Sequence, residues 1–238
     1  MNNLPYKKEH INKTRSNYAD DYVQEYNVNF IPHRSGTYRI EIDSGIQDVA
    51  QFSTAIQVLD MAKEDDEVEV HLQSPGGNVD ACGAFLHALR KCKATVHMVA
   101  SGGVHSAGTH ILLEADSFEL AEGFNSLIHN GSSGSYGNIN EYHAKSDFDK
   151  VFIYEHYKSI YEGFLSDDEF IGMMRGDNIW LNAAQWHERA TKRSEYFKAK
   201  YEAMMQAEED ALVEVEDKPK AKKPRKKFRK AVDVSEEL

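Results

Sequence analysis

Cysteine is scarce in this chain: Cys82 and Cys92 stand ten positions apart, with no CxxC and no second cluster. That excludes a disulfide framework and a cysteine-based zinc site, and a reducing cytoplasmic setting is expected. Long apolar runs are missing too. No stretch approaches the roughly 18 residues of a membrane span, and the opening MNNLPYKKEHINKTRSNYADDY lacks the apolar centre of a secretory signal. No G-x-x-x-x-G-K-[ST] occurs, so ATP hydrolysis is not expected on this chain. Positive charge is outnumbered about two to one in the body. Nine of the 28 Lys+Arg fall between Lys218 and Lys230, where none of the 39 Asp+Glu lie, leaving 19 basic against 39 acidic groups elsewhere. A body near −20 does not bind duplex nucleic acid by charge, and only the tail near +9 keeps that option.

What is present suits one substantial α/β domain, because 238 residues bury a core without staples. The first 34 residues are polar with weak periodicity and read as an arm. From Gly36 the texture changes. Thr37 to Ile42 alternates like a half-buried strand, and Val49, Phe52, Ile56 and Leu59 recur at helical spacing. Val68 to Leu72 is a second strand, stopped by Ser74-Pro75-Gly76-Gly77. Val79 to Cys92 puts Cys82, Phe85, Leu86 and Leu89 on one helical face, and Thr95 to Ala100 is a third strand. This β-α-β-α-β alternation predicts a parallel sheet with crossover helices. Gly102-Gly103 reads as a turn, Ala107 to Glu114 as a small-residue helix and Ser126 to His129 as a short strand. Asn138 to Phe164 predicts one long amphipathic helix that projects or meets another subunit, and helical spacing resumes from Ala183 to Ala211. The charged end that follows is expected to be disordered.

Chemistry in such sheets collects at strand carboxyl ends. The strongest local signal is Gly103-Val104-His105-Ser106-Ala107-Gly108, a serine among small residues between a strand and a helix. Such turns expose a side chain beside free N–H groups. It is not a strict G-x-S-x-G, and by itself a serine there reads first as a helix cap. Gly77 precedes Ser106 by 29 positions, in a segment whose glycines let a substrate backbone approach. His129 follows Ser106 by 23 positions at a strand end, where a general base would sit. His105 and His110 lack a nearby carboxylate cluster and read as core or surface histidines, so no metal is expected.

Taken together, SPGG, then Ser106-Ala107-Gly108, then Ile128-His129 resemble the proteolytic subunit of the Clp protease and its relatives, phage-encoded ones included, over about Arg39 to Leu181. The resemblance implies a ClpP/crotonase-like α/β fold of repeated β-β-α units with a long projecting handle helix, here Asn138 to Phe164. It implies Ser106 as nucleophile, His129 as general base, and Gly77 with Ala107 as the N–H donors of an oxyanion hole. The acidic orienter falls on Asp177, with Asp167 and Asp168 as rivals and a capping carboxylate as the plain alternative. The segment from Asn130 to Gly137, with Gly131, Ser132, Ser133 and Gly134 at its centre, resembles the family's substrate-lining strand, and a flexible loop is the other reading.

This divides the chain into an extension (1–35), a peptidase domain (36–212) and a charged tail (213–238). The implied activity is serine endopeptidase hydrolysis of unfolded or small polypeptides inside stacked homo-oligomeric rings, without a cofactor. Any ATP-driven unfoldase is a separate partner chain. Three departures stand out: Ala107-Gly108-Thr109 follows the nucleophile where the family has Met-Gly-Ala, Gln185 to Ala190 replaces the family's closing strand, and the extension is longer than an axial loop. The other classes in play are a crotonase-like acyl-CoA enzyme without a serine nucleophile and a catalytically silent ring-forming protein. A role in processing phage capsid or scaffold proteins stays open, and the tail reads as a solvated charge run.

Overall fold

The computed structural model describes residues 27–31, 35–132, 134 and 137–216. The basic tail from Lys218 to Lys230, most of the N-terminal arm and Ser133 lie outside the described residues.

A seven-stranded mixed sheet forms the centre, in the order β1-β2-β3-β4-β6-β7 with β5 paired to β4. Strands β2 (Thr37–Ile42), β3 (Glu67–Ser74) and β4 (Thr95–His105) run parallel. Their alternating pattern fixes the register, because a slip of one residue would turn every apolar side chain to the other face. Ile40, Val70 and Met98 thus form one fully buried row, and Ile42, Leu72 and Ala100 the next. Helices α1 (Ser53–Met61) and α2 (Val79–Lys91) cover that face, with Phe52 stacked on Phe85 at 4.5 Å between ring centroids.

Three differences from the sequence reading bear on the site. The arm contributes β1 (Val28–Ile31), an antiparallel edge strand on β2, because its short apolar run finds an unpaired ladder there. Gly102 and Gly103 do not turn. They continue β4, whose first half pairs with β5 (Ser117–Leu120) and whose second half pairs with β6 (Asn125–Ile128). Each glycine admits a neighbouring side chain, since a Cβ at Gly102 would lie 2.9 Å from the Gln73 side chain and one at Gly103 3.0 Å from the His105 ring. Helix α5 (Asp167–Arg175) was not anticipated either. Ser166 and Glu169 form a capping box at its start, and Gly176 ends it at φ 114°.

Helix α4 (Ile139–Tyr161) runs 23 residues, and its buried residues, Tyr157, Ile160 and Tyr161, all lie in the last turns. Ile139, Tyr142, Phe148, Val151 and Phe152 are exposed along the rest. Strand β7 (Ile179–Asn182) pairs antiparallel with β6 and leads into the 34-residue α6 (Ala183–Glu216). Trp186, fully buried against Phe164 and Phe124, anchors α6 to the body. No described helix is long and apolar enough to cross a membrane.

Arg189 of α6 holds Glu169 of α5 and drives its carboxyl down to about 2. A depressed carboxyl stabilises the fold above its unfolded range and ceases to do so as pH falls through the folded value. Glu169→Gln is therefore expected to lower the thermal midpoint at about pH 6, with the gap to the parent closing as pH drops from about 4.5 toward 2. A gap that stays constant with pH would contradict this.

Candidate active site

Strand β4 ends at His105, and the chain turns sharply at Ser106 into α3 (Ala107–Leu112). Ser106 stands at φ 52°, ψ −126°, the one non-glycine residue with positive φ among the described residues. That conformation costs on the order of 1–3 kcal/mol and persists only where the surroundings impose it. Here they do. The Ser106 N–H donates to Leu127 O of β6 at 2.8 Å, and its carbonyl accepts from both the backbone N–H and the hydroxyl of Thr109, at 2.9 and 2.7 Å. The Ser106 side chain makes no capping hydrogen bond, so it is not the helix cap its sequence position suggests.

The SPGG segment packs directly on this turn. Ser74, fully buried, donates to Ser44 O at 2.6 Å and accepts the Gly76 N–H at 3.2 Å. Gly76, at φ 82°, lies so close that a Cβ would sit 2.7 Å from Ser106 Cβ and 2.8 Å from Ala107 N. Gly77 is bridged in parallel to Ile46, with Ile46 N donating to Gly76 O and Asn78 N donating to Ile46 O. Neither the Gly77 nor the Ala107 N–H takes part in these turn and bridge bonds among the described residues. Two uncommitted amide donors thus lie on segments that meet at Ser106.

His129 follows β6 directly, two residues beyond Leu127, the partner of the Ser106 amide. Asp177 lies two residues before β7, whose Ile179 pairs with Ile128. The carboxyl ends of β4 and β6 and the start of β7 therefore meet, bringing Ser106, His129 and Asp177 to one end of the sheet. Among the described residues, no hydrogen bond joins these three side chains to one another. The Asp177 carboxylate is exposed and rests over α5, where a Cβ on Gly172 would fall 2.7 Å from Asp177 Oδ2. Asp167 and Asp168 occupy the first turn of α5, the end opposite Asp177, where acidic side chains favour the helix.

Of the other reactive side chains nearby, Cys82 and His105 make hydrogen bonds of their own, and His110 is buried. Cys82 donates to Ala107 O at 3.3 Å and burial pushes its thiol up to about 12, so no thiolate competes with Ser106. His105 bonds Asn125 at 2.9 Å and meets Trp180 edge-on, while His110 is buried between Tyr157 and Tyr161, its basicity pushed down to about 3 by burial and then by His156 and His129. A pocket of about 270 Å³ opens beyond His129, lined by Asn130 and Gly131, by Tyr142, Ser146, Asp149, Lys150 and Ile153 of α4, and by Met174 of α5. Ser132 and Gly134, next along, are exposed.

Residues 35–149 match the family model of the Clp protease. This segment belongs to the Clp protease family. It contains Gly77, Ser106, Ala107, His129 and the Gly131 to Gly134 stretch, and it stops within α4, before Asp177. The Clp protease segment thus covers β2 to β6, the mixed α/β unit with its strand-end turns, and the family is one of serine peptidases. No curated protein matches the chain.

Sequence reasoning missed Thr109, Tyr157 and Tyr161. Tyr161 lies 52 positions from Thr109 and bonds it at 2.8 Å, a contact for which one chain offers no periodic signal. The resemblance puts Gly131 in the substrate-lining strand, with a flexible loop as the other reading, and neither accounts for a glycine at this position. Its reason is closer to hand: a Cβ there would fall 2.8 Å from the Tyr157 hydroxyl.

Proposed function

We propose that this chain is a serine endopeptidase of the Clp type, cutting unfolded or small polypeptides within a homo-oligomeric chamber. The observation that carries the reading is the Ser106 turn: a strained serine whose side chain makes no capping hydrogen bond, flanked by the amides of Gly77 and Ala107 and adjacent to the strand that leads into His129.

In this reading Ser106 Oγ attacks the substrate carbonyl carbon while its proton passes to the His129 ring. The Gly77 and Ala107 N–H groups donate to the oxyanion, whose charge develops only in the transition state. The intermediate collapses, the C–N bond breaks and the leaving amine takes the proton from His129. Water then attacks the ester with His129 again as base, which releases the carboxylic acid and restores Ser106. Asp177 orients His129, and a swing of its exposed carboxylate away from α5 brings it there, as catalytic hydrogen bonds often tighten only with substrate bound. The backbone from Gly131 to Gly134 takes an extended peptide by main-chain hydrogen bonds, which favours broad sequence tolerance. Copies of the chain assemble through the exposed apolar residues of α4, from Ile139 to Phe152, which are too numerous for a helix facing only water. An unfoldase, where one serves this peptidase, is a separate chain.

Treatment with a fluorophosphonate probe is expected to label the parent on Ser106 and block peptide hydrolysis. An unlabelled parent that binds coenzyme A would favour the acyl-CoA reading, and one that does neither would favour a silent assembly protein.

A further inference from the structure

We infer that Tyr161, acting through Thr109, is a positioning residue for Ser106: a buried relay of hydroxyls from the last turn of α4 holds the nucleophile's backbone in its strained form. The inference rests on the serine-peptidase reading above and adds residues to that site.

The proton inventory fixes the direction of the relay. The Thr109 hydroxyl has one proton, and it donates to Ser106 O at 2.7 Å. Thr109 Oγ1 therefore accepts at its 2.8 Å contact with Tyr161, and the phenol is the donor. The chain runs Tyr161 O–H to Thr109 O–H to the Ser106 carbonyl, with each bond polarising the next in a buried, low-dielectric interior. Thr109 is fully buried and Tyr161 2% exposed, so no water replaces either bond. Burial, the largest cause, holds the Tyr161 phenol above its ordinary range, and it stays a donor at any working pH.

The geometry supplies a reason for this investment. Ser106 sits at φ 52°, where a side chain is unfavourable, and both protein donors to its carbonyl come from Thr109. Releasing the Thr109 hydroxyl from its relay frees the turn to relax toward ordinary φ, which withdraws Oγ from the His129 side. One turn earlier on α4, Tyr157 serves the other half of the site. Its hydroxyl lies against Gly131, two residues after His129, and its ring meets that of Tyr161 edge-on at 6.2 Å. Both rings pack on His110 of α3. Two tyrosines at i and i+4 thus brace the nucleophile's turn and the segment leaving the base against one rigid helix end.

The test compares Tyr161→Phe, Thr109→Val and Thr109→Ser in the full chain, scoring fluorophosphonate labelling of Ser106, kcat and KM on a fluorogenic peptide, and the melting midpoint. Tyr161→Phe and Thr109→Val are expected to slow labelling and kcat about tenfold each with KM within about twofold, as loss of one buried hydrogen bond from a strained group implies. Thr109→Ser, which keeps the hydroxyl, should restore the parent rate. The Tyr161→Phe, Thr109→Val double variant should be no slower than the slower single, because both remove one relay. Parent-like labelling of Tyr161→Phe, or a lowered melting midpoint with unchanged kcat, would overturn the inference while leaving the peptidase reading intact. If Tyr161→Phe does not fold, equal rates for Thr109→Val and Thr109→Ser would overturn it. A parent that is not labelled at all overturns the peptidase reading, and this inference with it.

Discussion

Ser106→Ala and Ser106→Gly are both expected to reduce peptide hydrolysis by about 10⁴-fold or more, since removing the nucleophile of such a triad leaves only oxyanion binding and substrate positioning. They should differ in stability. Alanine keeps a Cβ at φ 52° and so keeps the strain, while glycine adopts that conformation without it. The relief of roughly 1–3 kcal/mol is offset in part by the greater freedom of glycine in the unfolded chain, on the order of 0.5–1 kcal/mol. A net gain of about 1 kcal/mol corresponds to a melting midpoint about 2–4 °C above the parent for a domain of this size. Ser106→Ala should melt within about 1 °C of the parent, because the hydroxyl makes no capping bond. A Ser106→Ala protein that still cleaves at the parent rate would end the serine-peptidase reading. Ser106→Gly melting below Ser106→Ala would show that the turn is not strained as described.

Gly77→Ala is expected to damage both stability and activity, for a different reason. Gly77 stands at φ 144°, and a Cβ there would lie 2.0 Å from Ile46 O, a backbone atom with no freedom to swing aside. Relief requires breaking the Ile46–Gly77 bridge, and with it the bonds from Ile46 N to Gly76 O and from Asn78 N to Ile46 O. Asn78 also caps α2 by accepting the Asp80 and Ala81 amides, so the start of that helix moves too. Two backbone bonds and a disturbed cap sum to about 3 kcal/mol or more, or roughly 6–12 °C in melting midpoint. Whatever folds should show a kcat lowered by about 10²–10³, the usual loss when an oxyanion donor is displaced. Parent-like melting of Gly77→Ala would mean that the bridge to Ile46 does not form in solution.

The convergence of the candidate site's segments was legible because they follow one another along the chain. In a parallel sheet, each crossover returns the chain to the same end, so SPGG after β3, Ser106 after β4 and His129 after β6 come together without any long-range information beyond the strand pattern. The resemblance put the orienter at Asp177, just ahead of a short apolar strand, and β7 does pair beside β6 there, two residues after Asp177. What the spacing did not reveal was where the carboxylate points, since it rests over Gly172 and reaches neither partner. Helix α5 carried readable signals, a Ser166-x-x-Glu169 box and Gly176, but Asp167 and Asp168 drew attention as acids when they serve its first turn. Four-residue elements such as β1 and β5 gave too few positions for a period to show.

The sequence by itself determined the order of the elements, the buried rows of β2, β3 and β4, and the spacing of Gly77, Ser106 and His129, because alternation and turn residues act over a few positions. Tertiary structure alone decided that Gly102 and Gly103 stay in β4, that Gly131 exists to admit the Tyr157 hydroxyl, and that Tyr161 reaches Thr109 across 52 positions. Those outcomes depend on which distant groups arrive at van der Waals or hydrogen-bond distance. That is set by how α4 packs on the end of the sheet, and no local pattern encodes it.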